Sequence, residues 1–153
     1  RGGEEGLRGR RGTARCGARW VEGAAGPGGV QSVTSATAPG FPAAALAAGA
    51  LVVAGGAFTE EVQELEPAVL ADAGRVFADV PSEVAHTGDL LASSLEASDL
   101  VELGVPLEEG YTRESQRGRL VVASVGSATL DAAAGAAVYR RAVEAGDGTD
   151  VSL

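Results

Sequence analysis

"RLVVASVGSATLDAAAGAAVYRRAVEAG" runs from Arg119 to Gly146. Leu120-Val121-Val122 is apolar and partly β-branched, which suits a buried strand. A small polar knuckle follows, Ser124-Val125-Gly126-Ser127. Beyond it Ser127 can cap a helix, and Asp131 sits early enough to favour the helix dipole. Arg140 and Arg141 lie near the other end, where a cation is favoured. The stretch therefore predicts strand, turn and helix, with the helix over about 127–145. Ala132 to Ala137, with Gly135, make that helix thin. Val138, Ala142 and Val143 give it an apolar stripe, so it reads as a core or dimer-facing helix.

Working back from this unit, the pattern repeats. "VQSVTSAT" (30–37) is β-prone and ends at the turn signal Ala38-Pro39-Gly40. "PAAALAAG" (42–49) predicts a short helix. "ALVVA" (50–54) predicts a buried strand ending at Gly55-Gly56. "EPAVLADAG" (66–74) predicts a helix with Pro67 in its first turn. "RVFADV" (75–80) predicts a strand, and "PSEVAHTGDLLAS" (81–93) and "SDLVELGVPLEEG" (98–110) predict helices. "TDVSL" (149–153) is again β-prone. Such alternation predicts an α/β fold with a parallel sheet. In such sheets ligands bind beyond the carboxyl ends of the strands. Three small-residue turns fall there: Ser35-Ala36-Thr37, Ala54-Gly55-Gly56-Ala57 and Ser124-Val125-Gly126. Each is also the composition of an ordinary tight turn.

Residues 1–29 differ. They are rich in Arg and Gly, show no periodicity and carry a net charge of +3, against −12 for residues 30–153. Such a segment buries too little apolar surface to order itself, so disorder or a non-native start is expected. Trp20 is its one aromatic, too little for base stacking. The acidic body would repel phosphates, so nucleic acid is not an expected partner. No membrane-length apolar run is present; Pro39 to Phe58 is interrupted by Gly49, Gly55 and Gly56. No secretory signal is seen, and the single Cys16 suits a reducing compartment, so a cytoplasmic location is expected. The chain has no lysine, which removes lysine-based covalent chemistry.

Several site types are unsupported. No G-x-G-x-x-G turn follows a strand. One His and one Cys make no zinc pattern. Ser124, His86 and Asp131 could be written as a triad, but no G-x-S-x-G elbow accompanies them. His86 reads as a helix surface residue, and Glu60-Glu61 and Glu108-Glu109 as solvated faces.

"VTSATAP", "GGAFTEEVQELEPAVLADAGRVFADV", "EVAHTGDLL", "LVELG" and "VVASVGSATLDAAAGAAVYRRAVEAGDGTDVSL" occur in the order found in the ornithine cyclodeaminase / mu-crystallin family. The chain from about Val30 to Leu153 resembles the C-terminal half of such a protein. The resemblance implies a partial Rossmann-like parallel sheet, with residues 30–126 completing an NAD(P)-binding domain. Residues 127–153 would then form a helix and strand returning to a substrate and dimer domain. It implies hydride exchange at the α-carbon of a small amino or imino acid, with NAD or NADP as cofactor and a homodimer in the full-length family. By the same resemblance Thr37, Gly55, Gly56, Ala57 and Ser124 would line the cofactor and Val125 the substrate. Asp131 would be structural. Phe58 stands where cyclodeaminases carry an aspartate, and Val62 where they carry a lysine. Phe can neither accept a proton nor pair with an ammonium, so the departure weighs against ornithine cyclisation. The alternatives to an enzyme fragment are an inactive truncated product and a cofactor-binding module of the crystallin type.

Overall fold

The structure, a computed structural model, describes residues 28–112, 118–149 and 151. Expectations placed on residues 1–27, Cys16 and Trp20 among them, lie outside the described residues. Five strands form one parallel sheet: β1 (Gly29–Ser32), β2 (Leu51–Ala54), β3 (Ala73–Ala78), β4 (Val101–Glu102) and β5 (Arg119–Ala123). Their order is β1-β2-β5-β3-β4, so the last strand fills the centre. The expected α/β class and parallel sheet are therefore present.

One face of the sheet is dry. Val52, Ala54, Val76, Ala78, Val121 and Ala123 project from it into the core. Above them lie Phe41, Leu46, Leu65, Val69, Leu70, Val84, Leu90 and Leu100, all buried. Burying each of the larger side chains is worth ~1.5–3 kcal/mol. The other face is only partly covered: Val53, Leu120 and Val122 are half-buried and Leu51 is exposed. Phe77 on that face is closed by an edge-on contact with Tyr111, ring centres 5.2 Å apart.

The helices are α1 (Pro67–Ala71), α2 (Pro81–Val84), α3 (Gly88–Leu91), α4 (Gly104–Glu109) and α5 (Ala128–Ala145). Pro67 and Pro81 each open a helix, where the missing N–H costs nothing. Ser127 caps α5, accepting the Leu130 N–H. Gly146 ends it in the left-handed region at φ 70°, a conformation glycine adopts without penalty.

Four expectations need correction. The segment 42–49 forms only a 3-10 turn, Ala43–Ala45, because burial of Phe41, Ala43 and Leu46 sets its path and overrides alanine's helix propensity. The segment 81–93 breaks into α2 and α3. At the break Gly88 lies so close to the 60–62 backbone that a Cβ would sit 2.5 Å from the Val62 oxygen. Its N–H donates to the Thr59 carbonyl there. The segment 98–110 holds β4 as well as α4: Val101 pairs with Phe77 and Glu102 with Ala78, a two-residue strand too short for any periodicity to mark. Finally, no residue of α5 is buried, so it is not a core helix. At Thr149 and Val151 the chain is not strand; the rest of 149–153 lies outside the described residues.

Candidate functional site

The strand register sets out the site. Ser32 pairs with Ala54, Ala54 with Ala123, Ala123 with Ala78 and Ala78 with Glu102. All five strands thus end in one row. Backbone bonds tie the departing turns to that row: Gly55 N–H to Ser32 O (3.0 Å), Ser124 N–H to Ala54 O (2.9 Å) and Leu103 N–H to Ala78 O (2.7 Å). Two of the predicted turns, 54–57 and 124–126, begin at this carboxyl edge, while the third, 35–37, lies further along the loop because β1 ends at Ser32.

Two carboxylates hold the turns in place. Glu64, 1% exposed, reaches under the first two. Its Oε1 accepts the Ser32 hydroxyl and the Thr34 N–H, both at 2.6 Å, and its Oε2 accepts the Gly56 N–H at 2.5 Å. Ser32 ends β1, Thr34 follows it and Gly56 follows β2. One buried side chain therefore fixes the spacing between the two turns. The fit excludes any larger residue at Gly56, since a Cβ there would lie 2.1 Å from the Thr34 carbonyl oxygen.

Asp89, at 2% exposure, fixes Glu64 in turn. Its Oδ1 accepts the N–H groups of Glu64 (2.7 Å) and Leu65 (2.8 Å). Burial pushes the Asp89 carboxyl up to about 6; the two N–H bonds oppose this and the Glu64 charge adds to it.

Asp79 does the same work at the knuckle after β5. Its Oδ2 accepts the Ser124 hydroxyl (2.6 Å) and the Gly126 N–H (2.8 Å). Its Oδ1 accepts the Val80 N–H (2.8 Å) and the Val125 N–H (3.2 Å). Partial burial would raise this carboxyl, but the Ser124 hydroxyl and the three N–H groups outweigh it and hold Asp79 below the ordinary range. Asp79 is therefore ionised at neutral pH.

The sequence-predicted residues divide accordingly. Gly55, Gly56, Ala57, Ser124 and Val125 follow the row of strand ends. Thr37 lies further along the loop after β1 and is exposed. Gly55 is exposed, with only the Val33 side chain near, 3.8 Å from where a Cβ would lie, and Gly126 is open at φ 74°. A flat group can approach the backbone at both. Val125 packs its side chain partly against the core. Phe58 stands in solvent at the end of the second turn, 65% exposed, while Val62 is buried. The Ser124 hydroxyl donates to Asp79, and Asp131 is exposed on α5, so the triad written on paper is not assembled. Among the described residues no group of three His, Cys, Asp or Glu could hold a metal.

Sequence reading missed Glu64, Asp79 and Asp89. For Asp79 a signal exists: it directly follows a strand, where a short acid can cap neighbouring turns. For Glu64 the signal is its place between Val62 and Leu65, both buried. Asp89 lies in the segment 81–93 that reads as helix, and nothing local marks its carboxylate as buried.

No sequence-family model matches the chain, and no curated protein does. Solved structures do. The probable ornithine cyclodeaminase from Bordetella pertussis Tohama I is 29% identical, with a TM-score of 0.70 over 85% of this chain and 44% of that one. The Thermococcus litoralis Δ1-pyrroline-2-carboxylate reductase, solved with NADH and L-proline, is 21% identical with a TM-score of 0.74, over 87% of this chain and 43% of that one. The iminosuccinate reductase of Paracoccus denitrificans, solved with NAD+, is 22% identical with a TM-score of 0.69, over 82% and 40%. At those two lower identities the likeness is one of fold alone, a Rossmann-like parallel sheet. The chain spans less than half the length of each.

Proposed function

Because this chain belongs to the ornithine cyclodeaminase family, we propose that it forms part of an NAD(P)-dependent oxidoreductase or deaminating lyase acting on a small amino or imino acid. The observation that carries this reading is the single row of strand ends, with three turns held open-faced by Glu64 and Asp79. Residues 30–126 would complete the nucleotide-binding domain. Residues 127–153 would return to a substrate and dimer domain, with a homodimer as the working form and the cytoplasm as its location.

The nicotinamide, when bound, supplies hydride exchange with the substrate α-carbon. The protein's own part is placement. Gly55 would let the ring lie close to the backbone, Gly56 lets the turn pack against Thr34 and Glu64 beneath it, Ala57 would keep the turn narrow, and Thr37 and Ser124 would border the ring. The Ser124 proton is committed to Asp79, so towards a bound ring its oxygen would serve as an acceptor. Val125 would border the substrate. Phe58 brings no charge to the substrate amine, which favours a cyclic imine or simple amino acid over ornithine cyclisation.

The reading is tested by titrating the chain with NADH, followed by calorimetry or fluorescence. Saturable binding at micromolar to low millimolar concentration is expected. Complete absence of binding would overturn it.

A further inference from the structure

Charge is distributed unevenly along the strand direction of the sheet. Arg119 is the first residue of β5, and Arg75 pairs with Leu120 beside it. Both lie toward the amino ends. Arg119 is anchored there, donating to Asp72 (3.0 Å) and to the Ala43 carbonyl (2.9 Å). The carboxyl ends carry the opposite sign: Asp79 after β3, Glu64 beneath the turns after β1 and β2, and Glu102 as the last residue of β4. Arg140 and Arg141, on α5, lie ~18 Å along the helix from its start. His86 is exposed in the turn after α2. The chain contains no lysine. Hence none of the arginines described in the structure adjoins the Asp79 carboxylate, whose four hydrogen bonds all come from neutral donors.

A nicotinamide ring differs between its two redox states by one unit of charge. The oxidised ring is a cation; the reduced ring is neutral. We propose that Asp79 is a specificity-determining residue of this edge, its fixed negative charge favouring the oxidised, cationic ring over the reduced one. The proposal rests on the nicotinamide reading of the site. Asp79 holds the Ser124 hydroxyl at 2.6 Å, so a ring bordering Ser124 lies within one residue's breadth of the carboxylate. Unit charges about 8 Å apart at an effective dielectric of about 30 change an equilibrium roughly tenfold. Neutral hydrogen-bond donors lower this charge's energy without cancelling its sign.

The test measures NAD+ and NADH affinity of the full chain by calorimetry at fixed ionic strength, for the parent and three variants. Asp79→Asn removes the charge and also one or more accepted bonds. Geometric damage weakens both ligands alike, so the ratio of affinities isolates the charge. The ratio of NAD+ to NADH affinity is expected to fall roughly tenfold, by the Coulomb estimate above. Asp79→Glu keeps the charge and disturbs the geometry; both affinities fall and the ratio holds within about twofold, since the charge is kept. Glu144→Gln, on exposed α5, controls for net charge and should leave the ratio unchanged. An unchanged ratio in Asp79→Asn, with both ligands still bound by the parent, overturns the proposal and leaves the cofactor reading intact. An equal shift in Glu144→Gln also overturns it, because the effect would then be one of net charge. If the parent binds neither ligand, the cofactor reading fails and this proposal falls with it.

Discussion

Val121, at the centre of β5, has no solvent exposure, while Val138, in the middle of α5, is 68% exposed. The two residues sit in consecutive elements joined by four residues. β5 is pinned by strands on both sides, by the core above it and by Asp79 at its exit. α5 has a side-chain cap at its start, a glycine at its end and no buried residue between. Its stability is local, resting on alanine propensity and capping. The sheet's stability is collective, resting on burial and on two carboxylates that link elements far apart in sequence. Side-chain changes should therefore be felt strongly in the first region and weakly in the second.

The largest contrast is expected from apolar truncation. Leu65→Ala, at a site 1% exposed, should lower unfolding free energy by about 2–5 kcal/mol. Val138→Ala should change it by less than ~0.5 kcal/mol. Urea denaturation followed by circular dichroism measures both; equal effects would erase the distinction. Glycine replacement should split in sign. Gly56→Ala forces a Cβ against the Thr34 backbone and should destabilise by about 1–3 kcal/mol or more. Gly135→Ala, in α5 with nothing within 4 Å of the added carbon, should stabilise that helix by up to ~1 kcal/mol. Thermal melts of the two variants give the signs directly.

Proton linkage at Asp89 gives a smaller, pH-resolved effect. Its carboxyl is raised from 3.8 to about 6 in the folded chain. Between those values the native state keeps a proton that the unfolded chain releases. The contribution of Asp89 to stability is thus fully present below 3.8 and is lost as pH rises through about 6. Asp89→Asn imitates the protonated form at every pH. Relative to the parent it should gain about 1–3 kcal/mol between pH 4 and pH 7. Denaturation midpoints at several pH values check this; a parallel pair of profiles would remove Asp89 from the account. A further, local effect belongs to the start of α5. Ser127→Ala should cost about 1 kcal/mol, seen as faster amide exchange in its first turn with no change at Val52 or Val121.

Much of this was legible in sequence because it is local. The apolar run at 120–122, Pro67 and Pro81 at helix starts, Ser127 as a cap and the small turns after β2 and β5 each announce themselves within a few residues. The failures share one cause. Gly88 breaks a helix because the 60–62 backbone lies against it, and Val101 becomes a strand because Phe77 lies beside it. The run "PAAALAAG" lost most of its helix to the burial of Phe41 and Leu46. The neighbours of Gly88 and Val101 are far away in sequence, and the burial of Phe41 and Leu46 comes from the tertiary core. The same holds within the site: Glu64 meets Ser32, and Asp79 meets Ser124, across 32 and 45 residues.

The amino-acid sequence alone determined the parallel α/β class, the three turns of small residues and the absence of lysine chemistry, since each depends on composition or on contacts within one turn of chain. Only the tertiary structure decided that the turns after β1, β2 and β5 start from one row, that Glu64 and Asp79 hold them, and that α5 stands clear of the core. Sheet order and register bring distant residues together, and nothing in local propensity encodes which strand fills the centre.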